Sequence, residues 1–201
     1  MSGDIPNVSR ETEERLRAFA DLVLKWTPKI NLISRKDQSD LWQRHILDSV
    51  QVAQCGYACD HWVDIGTGGG FPGVVVAAMA KETWPHTRFT FIESDQRKSA
   101  FLRTAIRELE LNAKVLCDRI KSAPGQAADI LSARALSDLA SLLAFADRHL
   151  DPEGYALFQK GENWQKELLE AQEAWTFDCE AITSQTHDGA VILKIKGVSR
   201  D

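Results

Sequence analysis

The first part of the chain contains two stretches whose apolar residues recur at helical spacing. The first predicts a helix over residues 9–27, with Ser9 near a capping position and Pro28 ending the helix. The second predicts a helix from about Asp37 to Ala53, after a polar link. We expect residues 1–58 to form an N-terminal helical extension that packs on the rest of the protein.

From residue 61 onward, short apolar segments alternate with amphipathic ones. Seven segments have the composition of strands: 61–66, 88–94, 113–119, 128–136, 154–161, 177–185 and 190–197. Alternation with helices favours an α/β fold with a Rossmann-like, mostly parallel seven-stranded sheet. Only a turn around residues 187–189 separates the last two strands, so we expect a C-terminal antiparallel hairpin with the reversed strand at the sheet edge. Residues 59–201 are expected to form one structural unit.

The segment 64–73 reads DIGTGGGFPG and connects the first strand to a helix, where folds of this type bind nucleotide cofactors. The dinucleotide pattern G-x-G-x-x-G fails from Gly66, because its sixth position is Phe71. From Gly68 the pattern would enclose Pro72. The segment instead fits D-x-G-x-G-x-G, which resembles the first motif of class I S-adenosylmethionine-dependent methyltransferases.

The motif suggests how such a cofactor would be held. Asp64 could orient the cationic methionine end, directly or through water. Glu93 ends the second strand, where a carboxylate can accept both ribose hydroxyls; alternatively, it caps the helix that follows. After the third strand, residues 118–121 should border the adenine, whose edge the N–H groups of Ile120 and Lys121 could read. Three spaced glycines would let the backbone approach the ribose and amino-acid parts: Gly66, Gly68 and Gly70.

The acceptor signatures of several methyltransferase classes are missing from the sequence. Residues 129–135 read DILSARA and contain no Asn-Pro-Pro-Tyr-like segment, the pattern associated with exocyclic amines. Cys117 falls within a predicted strand and is expected to be packed there, not to act as a nucleophile. Guanine N7 carries an in-plane lone pair and needs no strong base, only alignment with the methyl group. The sequence therefore fits N7 chemistry.

Taken together, the motifs resemble the RsmG (GidB) family of bacterial 16S rRNA guanine-N7 methyltransferases over nearly the whole chain. The resemblance implies methylation of guanine 527 near the decoding site of small-subunit rRNA. It also implies that Gly66 and Phe71 border the cofactor, that Ile120 and Lys121 flank the adenine, and that Arg134 lies at the mouth of the active site. The family often has a glutamate where Lys121 stands. This difference weakens any role for the Lys121 side chain, but a contact through its backbone would remain possible. The motifs that carry the resemblance are NLI at 31–33, RHILDS at 44–49, DIGTGGGFPG at 64–73, ES at 93–94, SARA at 132–135 and KG at 160–161.

Four further residues are candidates for the acceptor side. Arg44 and Asp48 are spaced to share a helical face and could form an exposed ion pair, while His45 could cover the substrate, contact a phosphate or simply be packed. Asp48 and His45 are the nearby candidates for a general base. Lys160, after the fifth strand, is a candidate for a phosphate contact.

Arg134 follows the fourth strand and is expected in the catalytic, cofactor-binding and RNA-binding sets. Its guanidinium could contact guanine O6 or a phosphate, or pair with Asp64 or Glu93. We expect Arg44, His45, Arg134 and Lys160 to meet the RNA.

The distribution of charge along the chain indicates which regions could bind a polyanion. The net charge is −5, but residues 88–121 carry eight Lys or Arg against five Asp or Glu, and residues 151–181 carry two against eight. A polyanion would prefer the first of these regions. We expect a cytoplasmic monomer that binds S-adenosylmethionine and 16S rRNA or the small ribosomal subunit, with no metal and no membrane. The alternatives are a small-molecule methyltransferase, an NAD-dependent oxidoreductase and a noncatalytic RNA-binding protein.

Overall fold

A computed structural model describes residues 8–200 of the chain. Residues 1–7 and Asp201, at the ends of the two predicted parts, lie outside the described residues. The helices are α1 Arg10–Ile30, α2 Asp48–Gln54, α3 Gly73–Thr83, α4 Gln96–Glu108, α5 Leu139–His149 and α6 Trp164–Ala171. The strands are β1 His61–Ile65, β2 Arg88–Ile92, β3 Ala113–Leu116, β4 Ala128–Arg134, β5 Leu150–Lys160, β6 Trp175–Thr183 and β7 Val191–Arg200.

Helix α1 begins as predicted and ends later than predicted. Ser9 is its N-cap, and the Ser9 side chain accepts a hydrogen bond from the Thr12 N–H at 3.1 Å. The prediction that Pro28 ends the helix is wrong, because Pro28 lies inside it. A proline so close to the C-terminus removes only one hydrogen bond, and Asn31 then ends the helix in a left-handed conformation with φ 51°.

The second predicted helix is three consecutive helical segments of different type. A 3₁₀ turn covers Gln38–Asp40, a π-helical segment covers Trp42–Leu47, and α2 follows directly. The wider π turn carries Arg44 and His45, two of the predicted site residues. π turns inside helices occur frequently at functional sites. The π segment therefore agrees with the prediction that Arg44 and His45 belong to a site.

The sheet has seven strands in the order β3-β2-β1-β4-β5-β7-β6. Strands β1 to β5 are parallel, and β7 is antiparallel to both β5 and β6, which confirms the predicted hairpin. The reversed strand is not at the edge, however, because β7 inserts between β5 and β6. Its first residues are apolar and buried, whereas most residues of β6 are exposed or half-buried, so burial favours β7 in the interior position.

Helices cover both faces of the sheet. On one face, α1 to α4 pack on the strands, and Phe19, Leu32 and Ile46 of the N-terminal part share a core with Trp62 and Val74. On the other face, α5 and α6 close a second core. The N-terminal helices therefore pack directly on α3, the helix that follows the glycine-rich loop.

Candidate functional site

Two adjoining cavities lie at the carboxyl edge of the parallel strands. The first has a volume of about 640 Å³ and is bounded by the turns that follow β1 to β4. The second, of about 410 Å³, lies over the ends of β4, β5 and the β6–β7 turn. Ala135 lines both cavities, so they meet just after β4. An open α/β sheet binds ligands at this edge.

The first cavity brings together five of the predicted cofactor residues: Gly66, Gly68, Glu93, Ile120 and Lys121. Asp64, Gly70 and Phe71 are not among the described residues that line either cavity. Asp64 and Phe71 are buried, and Gly70 and Phe71 face the Phe19 ring, so these three residues form the inner side of the loop, a division that spacing alone did not reveal.

Two glycines of the loop illustrate this division. Gly70 has φ +94°, and a Cβ there would lie 2.6 Å from the Phe19 ring, so the closest neighbour is helix α1. Gly68 also has a positive φ, +55°, but the nearest atom to its Cβ would be the Gly66 carbonyl at 3.6 Å. Only Gly68 of this pair leaves room for a ligand at the backbone.

Glu93 holds the glycine-rich loop against the end of β2. Its Oε2 accepts a hydrogen bond from the Gly68 N–H at 2.9 Å, and its Oε1 accepts one from the Asp95 N–H at 2.8 Å. Asp95, not Glu93, caps α4, since its side chain accepts from Arg97 N and Lys98 N. The capping alternative for Glu93 is therefore wrong, and its carboxylate borders the first cavity.

Asp64 is completely buried beneath the loop. Its Oδ1 accepts a hydrogen bond from the Ser132 hydroxyl at 2.6 Å, and the Ser132 oxygen accepts one from the Trp62 indole at 2.9 Å. Burial raises the pKa of Asp64 to about 7, although the Ser132 hydrogen bond acts in the opposite direction. This chain of contacts ties β1 to β4 under the site.

The turn after β3 presents backbone donors to the first cavity. Ile120 and Lys121 line it, and in the described part of the chain no acceptor is found for either N–H. Cys117 precedes this turn and is exposed, so the expectation that it is packed in a strand is wrong. It follows the last residue of β3, where the chain leaves the sheet.

Arg134 lines the second cavity, next to Ala135, and its side chain is 17% exposed. Its Nη1 lies 3.2 Å from Asp48 Oδ2 and also 3.2 Å from the Arg44 carbonyl. Its Nη2 hydrogen-bonds to His45 Nδ1, and its Cζ lies 5.4 Å from the centre of the Phe71 ring. The guanidinium is thus held over an aromatic ring by three partners from one helical segment.

His45 is buried between this arginine and Phe71, whose ring centre is 5.0 Å from its own. Burial, assisted by the positive charge of Arg134, lowers the pKa of His45 to about 4. The imidazole is therefore neutral at neutral pH. Since Arg134 donates to Nδ1, the proton is on Nε2, which lies 3.8 Å from Asp37 Oδ2.

Asp48 links three parts of the protein. Its Oδ2 accepts from Arg134 and, at 2.6 Å, from Gln159 Nε2, while its Oδ1 accepts from the Thr186 hydroxyl at 2.8 Å. The predicted exposed pair with Arg44 does not form, because Arg44 pairs with Asp37 at 3.3 Å. Both carboxylate oxygens of Asp48 are occupied by donors.

Lys160 lines the second cavity but is already paired. Its Nζ lies 2.6 Å from Glu167 Oε2 and 2.9 Å from the Ser137 carbonyl, and its side chain is 9% exposed. Because the ammonium is neutralised within the protein, it has little charge to offer a phosphate.

Three residues that also line the second cavity were not predicted as site residues: Gln159, Thr186 and Asp37. Gln159 left a weak signal, as a polar residue that interrupts the apolar strand ALF just before Lys160. Thr186 and Asp37 lie in polar turns and carry no local signal.

Residues 8–200 contain no group of three or more His, Cys, Asp or Glu side chains arranged to hold a metal ion. Within the same residues, every helix is too short or too polar to cross a bilayer.

Comparison with known proteins gives a consistent result. A family model described as "rRNA small subunit methyltransferase G" (GidB) matches residues 12–191. A relative named "Ribosomal RNA small subunit methyltransferase G" from Ruegeria sp. is 56% identical over 194 residues, covering 96% of this chain and 95% of the relative. A protein of the same name from Cereibacter sphaeroides is 48% identical, covering 96% of this chain and 94% of that one.

The fold has solved counterparts. The crystal structure of a SAM-dependent methyltransferase from Aquifex aeolicus superimposes with a TM-score of 0.60 at 15% identity, covering 80% of this chain and 95% of that one. The likeness shows the class I methyltransferase fold predicted from the sequence.

Proposed function

This chain belongs to the rRNA small subunit methyltransferase G family, and we propose that it transfers a methyl group from S-adenosylmethionine to N7 of guanine 527 in 16S rRNA. The observation that carries the proposal is the position of Arg134. Its guanidinium lines the second cavity next to Ala135, the residue that borders both cavities, and its neighbours Asp48 and His45 are already hydrogen-bonded to it.

The first cavity fits the cofactor. Glu93 borders it with a carboxylate that can turn from the loop to ribose hydroxyls, and Gly68 leaves space against the backbone. The free N–H groups of Ile120 and Lys121 match the acceptor nitrogens of an adenine edge. When bound, S-adenosylmethionine supplies an electrophilic methyl group on a sulfonium. Asp64 and Phe71, buried on the inner side of the loop, keep this cradle in place.

In the second cavity the acceptor guanine would lie with N7 toward Ala135, where the two cavities meet. Arg134 can donate to guanine O6, which neighbours N7, and so orient the base. His45 is neutral, and its Nδ1 lone pair already receives the Arg134 hydrogen bond. Asp48 has donors on both oxygens. Neither is free to remove a proton, and alkylation at N7 requires none.

RNA would approach the same edge of the sheet. Three exposed or half-exposed cations that line the first cavity have no ion-pair partner among the described residues: Lys98, Arg119 and Lys121. Arg35 and Lys36, which directly precede Asp37 of the second cavity, are likewise exposed and without an ion-pair partner in the described part of the chain. Unpaired cations near a site attract phosphates and make binding dependent on salt. Because Lys160 is paired within the protein, we propose that these five cations, and not Lys160, contact the RNA phosphates. We further infer that the protein works as a monomer in the cytoplasm, where its proposed substrate is assembled.

The test offers labelled S-adenosylmethionine to the purified protein together with naked 16S rRNA, small ribosomal subunits or free nucleotides. We expect N7-methylguanine in rRNA from one of the first two and none in free nucleotides. Label in free nucleotides alone would point to a small-molecule methyltransferase, and label in another base would contradict the N7 assignment.

A further inference from the structure

The turn that follows β3 is held from behind by the end of helix α5. Within the turn, the N–H groups of Ser122 and Ala123 both donate to the Arg119 carbonyl at 2.9 Å. This closes one short loop but leaves the outer carbonyls of the turn to find partners elsewhere.

Two consecutive residues of α5 supply those partners. His149 is completely buried, and its Nε2 lies 2.9 Å from the Ile120 carbonyl oxygen. Arg148 directs Nε and Nη2 at the Ala123 carbonyl, at 3.0 and 2.6 Å. A carbonyl can only accept, so His149 must carry its proton on Nε2. Burial lowers the pKa of His149, which keeps the ring neutral in this role.

The hydrogen bond from His149 fixes more than the carbonyl that receives it. The carbonyl of Ile120 and the N–H of Lys121 belong to one planar trans peptide and point in opposite directions. When His149 holds the oxygen on the α5 side, the Lys121 N–H must point away from α5. This is the N–H that lacks an acceptor in the described structure and borders the first cavity. A donor on the carbonyl also polarises the same peptide and strengthens its N–H as a donor.

Helix α5 contributes a second element to the same wall. Phe145 precedes His149 by four positions, so the two side chains share one helical face. Phe145 lines the first cavity, while His149 lies behind the turn that completes it. One rigid helix therefore sets both an apolar wall and the direction of a backbone donor.

We propose that His149 is a positioning residue for the adenine of the cofactor, acting through the Ile120–Lys121 peptide without touching the ligand. The inference rests on the proposed function, because it takes the first cavity as the adenine site. It explains how a backbone donor can read adenine whatever side chain stands at position 121.

The test compares His149→Met with His149→Gln. Methionine is apolar and removes the donor, whereas the glutamine amide nitrogen reaches about the same place as His Nε2. We expect H149M to raise the Kd for S-adenosylhomocysteine, measured by calorimetric titration, and the KM for S-adenosylmethionine about tenfold. The kcat at saturating cofactor and the KM for rRNA should stay within about twofold. H149Q should return the Kd to within about threefold of the wild-type value.

His61→Met is the matched control. His61 is also a buried histidine whose ring nitrogens contact a backbone carbonyl and a hydroxyl, those of Gln126 and Thr90, but it lies at the start of β1, away from both cavities. H61M should lower the melting temperature without changing the Kd for S-adenosylhomocysteine. If H149M does not fold, His149→Asn, whose amide is too short to reach Ile120, takes its place.

An NMR titration separates the two levels of the proposal. In the wild-type protein, the backbone amide signals of Ile120 and Lys121 should shift on addition of S-adenosylhomocysteine. If they do not shift although the ligand binds, the adenine placement is wrong, and the role of His149 is lost with it. If they shift and H149M binds S-adenosylhomocysteine as tightly as wild type, the placement stands and the role of His149 is refuted.

Discussion

The contact between Asp48 and Arg134 gives the sharpest test of how the acceptor side is built. The two residues are 86 positions apart and join the N-terminal helical part to the end of β4 at 3.2 Å. We predict that Asp48→Asn destabilises the protein and lowers methyl transfer because it releases Arg134, not because it removes a base. The loss should therefore depend on whether Arg134 is present.

The magnitude follows from burial. The side chains of Arg134 and Asp48 are 17% and 19% exposed. Removing one partner of a buried pair costs about 3–5 kcal/mol, and the residual exposure here favours the lower end, about 3 kcal/mol. For a chain of this size, each kcal/mol shifts the melting temperature by about 2–4 °C, so D48N should melt about 6–12 °C lower.

The assay is a double-mutant cycle with Arg134→Met, followed by urea unfolding and by methylation of rRNA. In the R134M background, D48N should cost much less, with a coupling energy of about 2 kcal/mol. Methyl transfer should fall to a similar level in both single variants and in the double variant. Additive losses would refute the positioning role. A D48N variant of full stability whose rate becomes independent of pH would instead identify Asp48 as a general base.

Three further predictions follow from single residues. Gly70→Ala should destabilise the protein by about 2–5 kcal/mol, from the positive φ and the clash with helix α1, whereas Gly161→Ala, with nothing within 4 Å of its Cβ, should change stability by about 0.5 kcal/mol or less in urea unfolding. Glu93→Gln should raise the Kd for S-adenosylhomocysteine about tenfold or more in calorimetry, and Glu110→Gln, which alters an exposed pair with Lys81, should leave it unchanged. His45 has a pKa of about 4 when folded, below its unfolded value of about 6.5, so the unfolded state takes up the proton first and the contribution of His45 to stability is lost as pH falls from about 6.5 to about 4. The stability difference between wild type and His45→Gln should shrink over this range, and a constant difference would contradict the neutral, buried imidazole.

Local pattern was sufficient for most of the sheet. The strand HWVDI, the glycine-rich loop and Glu93 at the end of β2 follow from residues adjacent in sequence, and the structure has them where the pattern predicted. Pro28 shows where a local rule fails, because the position of a proline within the last turn decides its cost. The π segment at 42–47 has no signal in the hydrophobic spacing, which fits an ordinary helix equally well.

Hydrogen-bond partners that are distant in the sequence could not be predicted from the local pattern of residues. The partners of Asp48 come from β4, β5 and the β6–β7 turn, and spacing along one helix suggested Arg44 instead. The loop glycines were predicted to face the cofactor, yet Gly70 is required by the Phe19 ring. A glycine-rich pattern indicates that another group lies close to the backbone. It does not indicate whether that group is a ligand or another part of the protein.

The position of the methyl group on the RNA decides whether the protein modifies N7 of guanine 527. Small ribosomal subunits that lack the modification would be incubated with the protein and S-adenosylmethionine, and the 16S rRNA then reduced and cleaved with aniline, which breaks the chain at N7-methylguanine. We expect one new cleavage, at guanine 527, that is absent without the cofactor and strongly reduced with Arg134→Met. Methylated rRNA that resists this cleavage, or that is cleaved at another guanine, would contradict this expectation.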